Sequence, residues 1–144
     1  GNLALNRVPG KDNALMQGHV FSFLEKAAAG RQRFDLAIVD PPSFATSRDG
    51  THNMDIAKDH PRLLEMTLVL MKKGGTVFFS TNHQEFIPRM EGLKATDIRE
   101  ITEATIPEDY RHRLGRVTGY NAYFTAIGKE LQDEIIARES HQMS

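Results

Sequence analysis

Phe34-Asp35-Leu36-Ala37-Ile38-Val39-Asp40-Pro41-Pro42-Ser43-Phe44 opens as a short, nearly continuous apolar run and closes on a carboxylate and two prolines. A run of this kind, bounded by a rigid turn, reads as a parallel strand covered on both faces and central in its sheet. The two prolines hold the backbone extended and remove two amide donors. The Asp40 carboxylate and the Pro41 carbonyl can then act together as acceptors at a substrate edge. The alternative is a rigid turn leaving a strand, with Phe44 plugging the core. The loop from Pro41 to about Met54 is rich in Ser, Thr, Arg, Asp and Gly. It exceeds the usual connection of ~4 to 6 residues, and long loops after strands often carry function.

Upstream, Leu3-Ala4-Leu5 reads as the end of a helix that stops at Pro9-Gly10-Lys11-Asp12. Ala14 to Gln17 reads as a short strand, and Val20 to Ala29 as a helix ended by Gly30. Downstream, Asp59-His60-Pro61 reads as a helix start capped by Asp59, with a start nearer Asp55 as the alternative. Leu63, Leu64, Met66, Leu68, Val69, Leu70 and Met71 make that helix apolar on most of its surface, and Lys72-Lys73-Gly74-Gly75 reads as its C-terminus. Thr76 to Ser80 is a second buried strand that runs out at Thr81-Asn82-His83. Gln84 to Met90 reads as a short helix interrupted by Pro88, and Thr96 to Thr105 and Asn121 to Ile127 as late strands. This order predicts an α/β fold with a mainly parallel sheet and a late antiparallel strand. Ligands in such sheets bind at the C-terminal strand ends, where Asp40 and Ser80 to His83 fall.

With 144 residues, 40% of them hydrophobic and 26% charged, the chain is long enough for one globular core. The absence of cysteine excludes disulfides, thiolate metal sites and a cysteine nucleophile, and fits a cytoplasmic location. No apolar run approaches the roughly 20 residues needed to span a bilayer, and no membrane partner is expected. A net charge of -1 gives no whole-chain attraction to phosphate. Contact with nucleic acid would need a local patch, and Arg111, His112, Arg113 and Arg116 beside Tyr110 and Tyr120 offer one, with a solvated loop as the equal alternative. No further carboxylate or histidine recurs at metal-ligand spacing around Asp40.

Asp40-Pro41-Pro42-Ser43-Phe44 after a buried strand resembles motif IV of the class I S-adenosylmethionine-dependent methyltransferases that modify bases. From Phe34 to Ile127 the chain resembles the 23S ribosomal RNA guanine methyltransferases, especially the guanine-N7 domain of the bifunctional enzymes. The matching segments are Phe34-Asp35-Leu36-Ala37, Asp40 to Phe44, Ser47-Arg48, Lys58-Asp59-His60, Gly74-Gly75-Thr76, Phe79-Ser80-Thr81-Asn82 and Thr105 to Tyr110. The resemblance implies a Rossmann-like methyltransferase sheet lacking its first two strands. Residues 1–128 would be the C-terminal part of a catalytic domain, and 129–144 a tail with one helix through Leu131, Ile135 and Ile136. It implies S-adenosylmethionine as cofactor and ribosomal RNA as partner. Asp40, Pro41 and Pro42 would be catalytic, Ser43, Phe44 and Asn82 would bind substrate, and Phe44 would stack on a base. His19 and Asp40 would contact the cofactor. His19 stands where many relatives place an acidic residue for the adenine amino group, and a neutral imidazole can still accept one hydrogen bond. Pro61 stands where the family usually continues its helix.

Methylation at cytosine C5 requires a cysteine attack and is disfavoured here. Guanine N7 carries a lone pair and needs only positioning, whereas an exocyclic amine would use the Asp40 and Pro41 acceptors, so both remain open. The glycine-rich turn and the ribose-binding acidic residue of the family should lie upstream of Gly1, making the upstream part of the same protein an expected partner. Alone, the chain should leave the Leu36 to Val39 strand as an apolar edge and self-associate. The competing expectation is a degenerate, cofactor-free fold serving as a binding or assembly module.

Overall fold

The computed structural model describes residues 5–7, 13–46, 50, 53–105 and 119–126. Helix α1 (Val20–Ala29) leads into strand β1 (Phe34–Val39), and a small hairpin follows, β2 (Phe44–Thr46) with β3 (Asn53–Asp55). Helix α2 (Ile56–Val69), the long strand β4 (Met71–Thr81), strand β5 (Ala95–Glu100), the helical turn α3 (Thr102–Thr105) and strand β6 (Tyr120–Ala126) complete it. The main sheet has the order β1-β4-β6-β5. β1 and β4 run parallel, and β6 runs antiparallel between β4 and β5. The sheet is thus the mixed, partial α/β sheet expected of a Rossmann-like methyltransferase fold. Its antiparallel part comes from β6 inserting beside β4 rather than beyond β5.

Both long helices lie on one face. Val77 and Phe79 of β4, with Ala122, Phe124 and Ala126 of β6, form a buried cluster with Phe21, Leu24 and Ala27 of α1 and Leu63, Leu64 and Leu68 of α2. This burial is the main favourable term for the fold, about 25 cal/mol per Å² of apolar surface removed from water. Arg62 of α2 lies over the Phe21 ring, 4.4 Å from its centroid, and meets Glu25 at 3.6 Å, tying the two helices at their outer rim.

The opposite face is bare among the described residues. Leu36 is 55% exposed, Ile38 75% and Phe78 40%, so the expectation that β1 is central and covered on both faces does not hold in this chain. β1 is the edge of the described sheet: β4 occupies one side, and no described strand occupies the other. The apolar run correctly marks a strand, but no residue of β1 is fully buried here.

Local chemistry accounts for the remaining differences. Ala14 to Gln17 forms no strand, because no described strand lies beside it to take its backbone bonds. Gly30 ends α1 with φ −74°, and the left-handed residue is Arg31 at φ 55°. Helix α2 starts at Ile56 rather than at Asp59, because Asp55 supplies the cap. Asp55 Oδ1 accepts the Ala57 amide at 3.0 Å, and Asp59 Oδ2 accepts the Asp55 amide at 2.8 Å, a reciprocal arrangement like a capping box. Pro61 consequently lies inside the helix. The helix ends at Val69, and Lys72 to Gly75 fall in β4 instead of capping it. There Phe34 lies opposite Met71 but Leu36 lies opposite Thr76, so these residues bulge from the ladder. Gly75 is needed in that bulge, because a Cβ would come within 3.0 Å of the Lys72 carbonyl and 3.1 Å of the Asp35 carbonyl. Lys72 turns back to pair with Asp35 at 2.8 Å.

Gln84 to Met90 is not helical, and the Arg89 amide is directed at the His60 ring. The expected strand from Thr96 to Thr105 divides into β5 and α3, with the Ile101 amide bonded to the Asn121 carbonyl at the junction. Leu3-Ala4, Pro9 to Asp12, Ser47-Arg48, Ile106 to Arg116 and the tail from Lys129 lie outside the described residues. No helix among the described residues is long and apolar enough to cross a membrane.

Candidate active site

The parallel pairing of Val39 with Phe79 places the next residue of each strand, Asp40 and Ser80, side by side at the C-terminal edge. The Ser80 hydroxyl donates to Asp40 Oδ1 at 2.6 Å. Three residues on, the Ser43 hydroxyl donates to Asn82 Oδ1 at 3.0 Å. The segment between these bonds is Pro41-Pro42, whose rings fix φ, so the loop is stiff between two anchors. Behind it, the Ile56 amide donates to the Ser43 carbonyl at 3.1 Å, joining the loop to the start of α2.

Phe44 then enters β2 opposite Asp55, the residue that caps α2. The hairpin is seated by Met54, which is 5% exposed, whereas Phe44 is 65% exposed. Phe44 therefore does not plug the core. Its ring meets His83 edge-on, with centroids 6.2 Å apart. An exposed aromatic ring on an anchored hairpin offers a flat surface on which a planar ligand can stack.

A groove of about 1020 Å³ runs along the β1 edge, between the start of α1 and the loop. Gln17, His19, Asp40, Pro41 and Pro42 line it, with Leu36 and Ile38 supplying apolar wall. His19 stands at the N-cap position of α1, and its ring lies 5.6 Å from that of Phe21. The expected cofactor contacts His19 and Asp40 thus share one cavity, and Asp40 leads into the loop whose Ser43 bonds Asn82 just past β4. A volume of this size with a mostly apolar wall and a few polar groups suits a nucleoside-sized ligand. Among the described residues, no group of three or more His, Cys, Asp or Glu side chains is placed to hold a metal ion.

Two perturbed groups lie outside this constellation. Burial lowers the pKa of His60 below its ordinary 6.5, and burial raises that of Tyr120. Both rings pack on Phe86, His60 at 4.7 Å and Tyr120 at 5.3 Å between centroids. They serve the packing of the 82–94 connection.

Sequence reasoning left Ser80 and His83 without roles and missed Arg89. For Ser80 the sequence signalled only a position at the C-terminal end of β4; its place beside Asp40 follows from the Val39–Phe79 register, which the structure supplies. His83 and Arg89 are placed by an irregular connection, which leaves no periodic signal.

A Rossmann-like methyltransferase fold, present in part, is the class that this sheet order and the Asp-Pro-Pro loop define. The crystal structure of SMU.776 complexed with SAH, a protein assigned as a methyltransferase, superposes with a TM-score of 0.59 at 20% identity, over 76% of this chain and 30% of that one. No protein-family model matches the chain. In sequence it is 36% identical over 109 residues to the ribosomal RNA large subunit methyltransferase K/L of Allochromatium vinosum, covering 76% of this chain and 15% of that protein. The K/L protein of Syntrophotalea carbinolica is 34% identical over 122 residues, 81% of this chain and 17% of its own. The ribosomal RNA large subunit methyltransferase K of Neisseria meningitidis serogroup B is 30% identical over 112 residues, 78% of this chain and 32% of its own. The chain is thus similar in sequence to these three ribosomal RNA large subunit methyltransferases, and it spans less than a third of the length of each.

Proposed function

We propose that the chain is the substrate-facing part of an S-adenosylmethionine-dependent methyltransferase acting on a guanine base of 23S ribosomal RNA, at N7 or N2, in the cytoplasm. The observation that carries this reading is the stiff Asp40 to Phe44 loop, anchored at the C-terminal strand edge and opening on the groove that His19 shares. On this reading residues 1–128 belong to the catalytic domain, and 129–144 form its tail.

His19 and Asp40 would hold the cofactor, with the remainder of its cradle supplied by the upstream part of the same protein. The bound cofactor would supply an electrophilic sulfonium methyl group. The residues of this chain bind and orient the acceptor. Phe44 stacks on the extruded base, Ser43 and Asn82 fix the rim, and Asp40 with the Pro41 carbonyl accepts hydrogen bonds from the base edge. An N2 amine would present its hydrogens to these two acceptors, whereas N7 loses no proton and relies on positioning alone.

Incorporation of labelled methyl groups into 23S RNA by the naturally expressed polypeptide, followed by mass analysis of the modified base, tests the reading. Asp40→Ala should abolish incorporation, and undiminished incorporation would refute the assignment. His19, in place of an acidic residue, favours a second reading, a cofactor-free binding module. Calorimetric titration of the same polypeptide with S-adenosylmethionine separates the two, since the module shows no affinity.

A further inference from the structure

We infer that Ser80 is a positioning residue for Asp40: its hydroxyl engages one carboxylate oxygen and so fixes which oxygen meets the substrate. The inference rests on the proposed function above. Ser80 donates to Oδ1 at 2.6 Å, and Oδ2 has no hydrogen-bond partner among the described residues. An unrestrained Asp carboxylate rotates freely about its terminal torsion, presenting either oxygen in a broad range of directions. One short bond to a hydroxyl on the neighbouring strand removes that freedom, leaving Oδ2 as the acceptor that can meet a donor from a base.

The surroundings argue against a purely structural bond. The bond is solvent-exposed, so its contribution to folding stability is small. The ladder already aligns the two strands through Val39 and Phe79, and the Ser43–Asn82 bond already ties the loop to the end of β4. What the Ser80 bond adds is the orientation of the Asp40 head group.

Ser80→Ala, Ser80→Cys and Ser80→Thr in the naturally expressed polypeptide test this by steady-state methylation of 23S RNA, with thermal midpoints measured in parallel. Ser80→Ala should lower kcat roughly ten- to hundredfold while leaving KM for RNA and the midpoint close to those of the parent. Ser80→Thr, which keeps the hydroxyl, should recover most of kcat. Ser80→Cys, nearly isosteric but a weak donor, should fall between, and it decides the matter should the alanine variant not fold. A parent-like kcat in the Ala and Cys variants, a loss that Thr does not recover, or a change confined to KM overturns the inference. Asp40→Ala, run alongside, isolates the premise: if that variant stays active, the proposed function fails, whereas an inactive Asp40→Ala with a fully active Ser80→Ala removes only the role of Ser80.

Discussion

The Arg89 guanidinium donates to the Ala57 carbonyl at 3.0 Å, and Ala57 is the residue whose helical donor would have been the amide that Pro61 lacks. A proline inside a helix removes one i to i−4 bond, and here a side chain from the 82–94 connection takes its place. The same group bonds the Lys58 carbonyl at 2.7 Å, and the Arg89 amide bonds His60 Nε2 at 2.9 Å.

Arg89→Ala should therefore destabilise the fold modestly, by about 0.5–1.5 kcal/mol, because both guanidinium bonds are solvent-exposed and water can reach the freed carbonyls. In a Pro61→Ala background the restored amide can bond Ala57, and the cost of Arg89→Ala should shrink. Urea unfolding of the double-mutant cycle reads this coupling, and strict additivity of the two changes would contradict it.

His60 is fully buried, with Nδ1 donating to the Ile56 carbonyl at 2.8 Å and Nε2 accepting from the Arg89 amide. This arrangement needs the neutral ring, and burial lowers its pKa accordingly. The unfolded chain binds a proton near pH 6.5, whereas the folded chain does so only at lower pH. Stability from this group is therefore complete above about pH 6.5 and falls as the pH drops toward the folded value. Urea midpoints taken from pH 7.5 to 5 should fall in the parent and fall less in His60→Gln.

The exposed β1 edge makes Ile38, at 75% exposure, a determinant of association rather than of stability. The isolated chain should self-associate, and Ile38→Lys should shift light scattering toward the monomer with the thermal midpoint nearly unchanged. A parent chain that is already a monodisperse monomer would contradict this.

Asp55→Ala removes the α2 cap and the Lys58 contact at 3.5 Å. A loss of about 1 kcal/mol is expected in urea unfolding. Because Asp55 also pairs with Phe44 across the hairpin, amide exchange at Phe44 and Ala45 should accelerate.

Phe44→Ala should leave stability within about 0.5 kcal/mol, since the ring is 65% exposed. If Phe44 stacks on a base, RNA affinity should fall by about 1–3 kcal/mol, measurable by filter binding of the naturally expressed polypeptide.

Much of the architecture was legible where the signal is local. Val20 to Ala29 has helical spacing and ends as read, and the apolar runs of β1 and β4 declare their strands. The start of α2 was ambiguous because Asp55 and Asp59 are both competent caps, and their choice depends on a reciprocal bond that spacing alone does not rank. Gln84 to Met90 misleads because its residue types permit a helix, while its conformation is set by contacts with His60 and Phe86's neighbours in the core.

The sequence by itself determined the chemistry at the strand end: a carboxylate followed by two prolines can only be a stiff, acceptor-rich loop, because ring closure fixes φ and removes the amides. It also determined which strands are apolar enough to be buried. Tertiary structure alone decided that β6 lies between β4 and β5, that Ser80 grips Asp40, and that Arg89 completes the helix at Pro61. Those relationships join residues that are distant in sequence, such as Asp40 with Ser80, Ala57 with Arg89 and Glu100 with Ala122, and they arise only when packing of the apolar faces brings the strands and connections into one register.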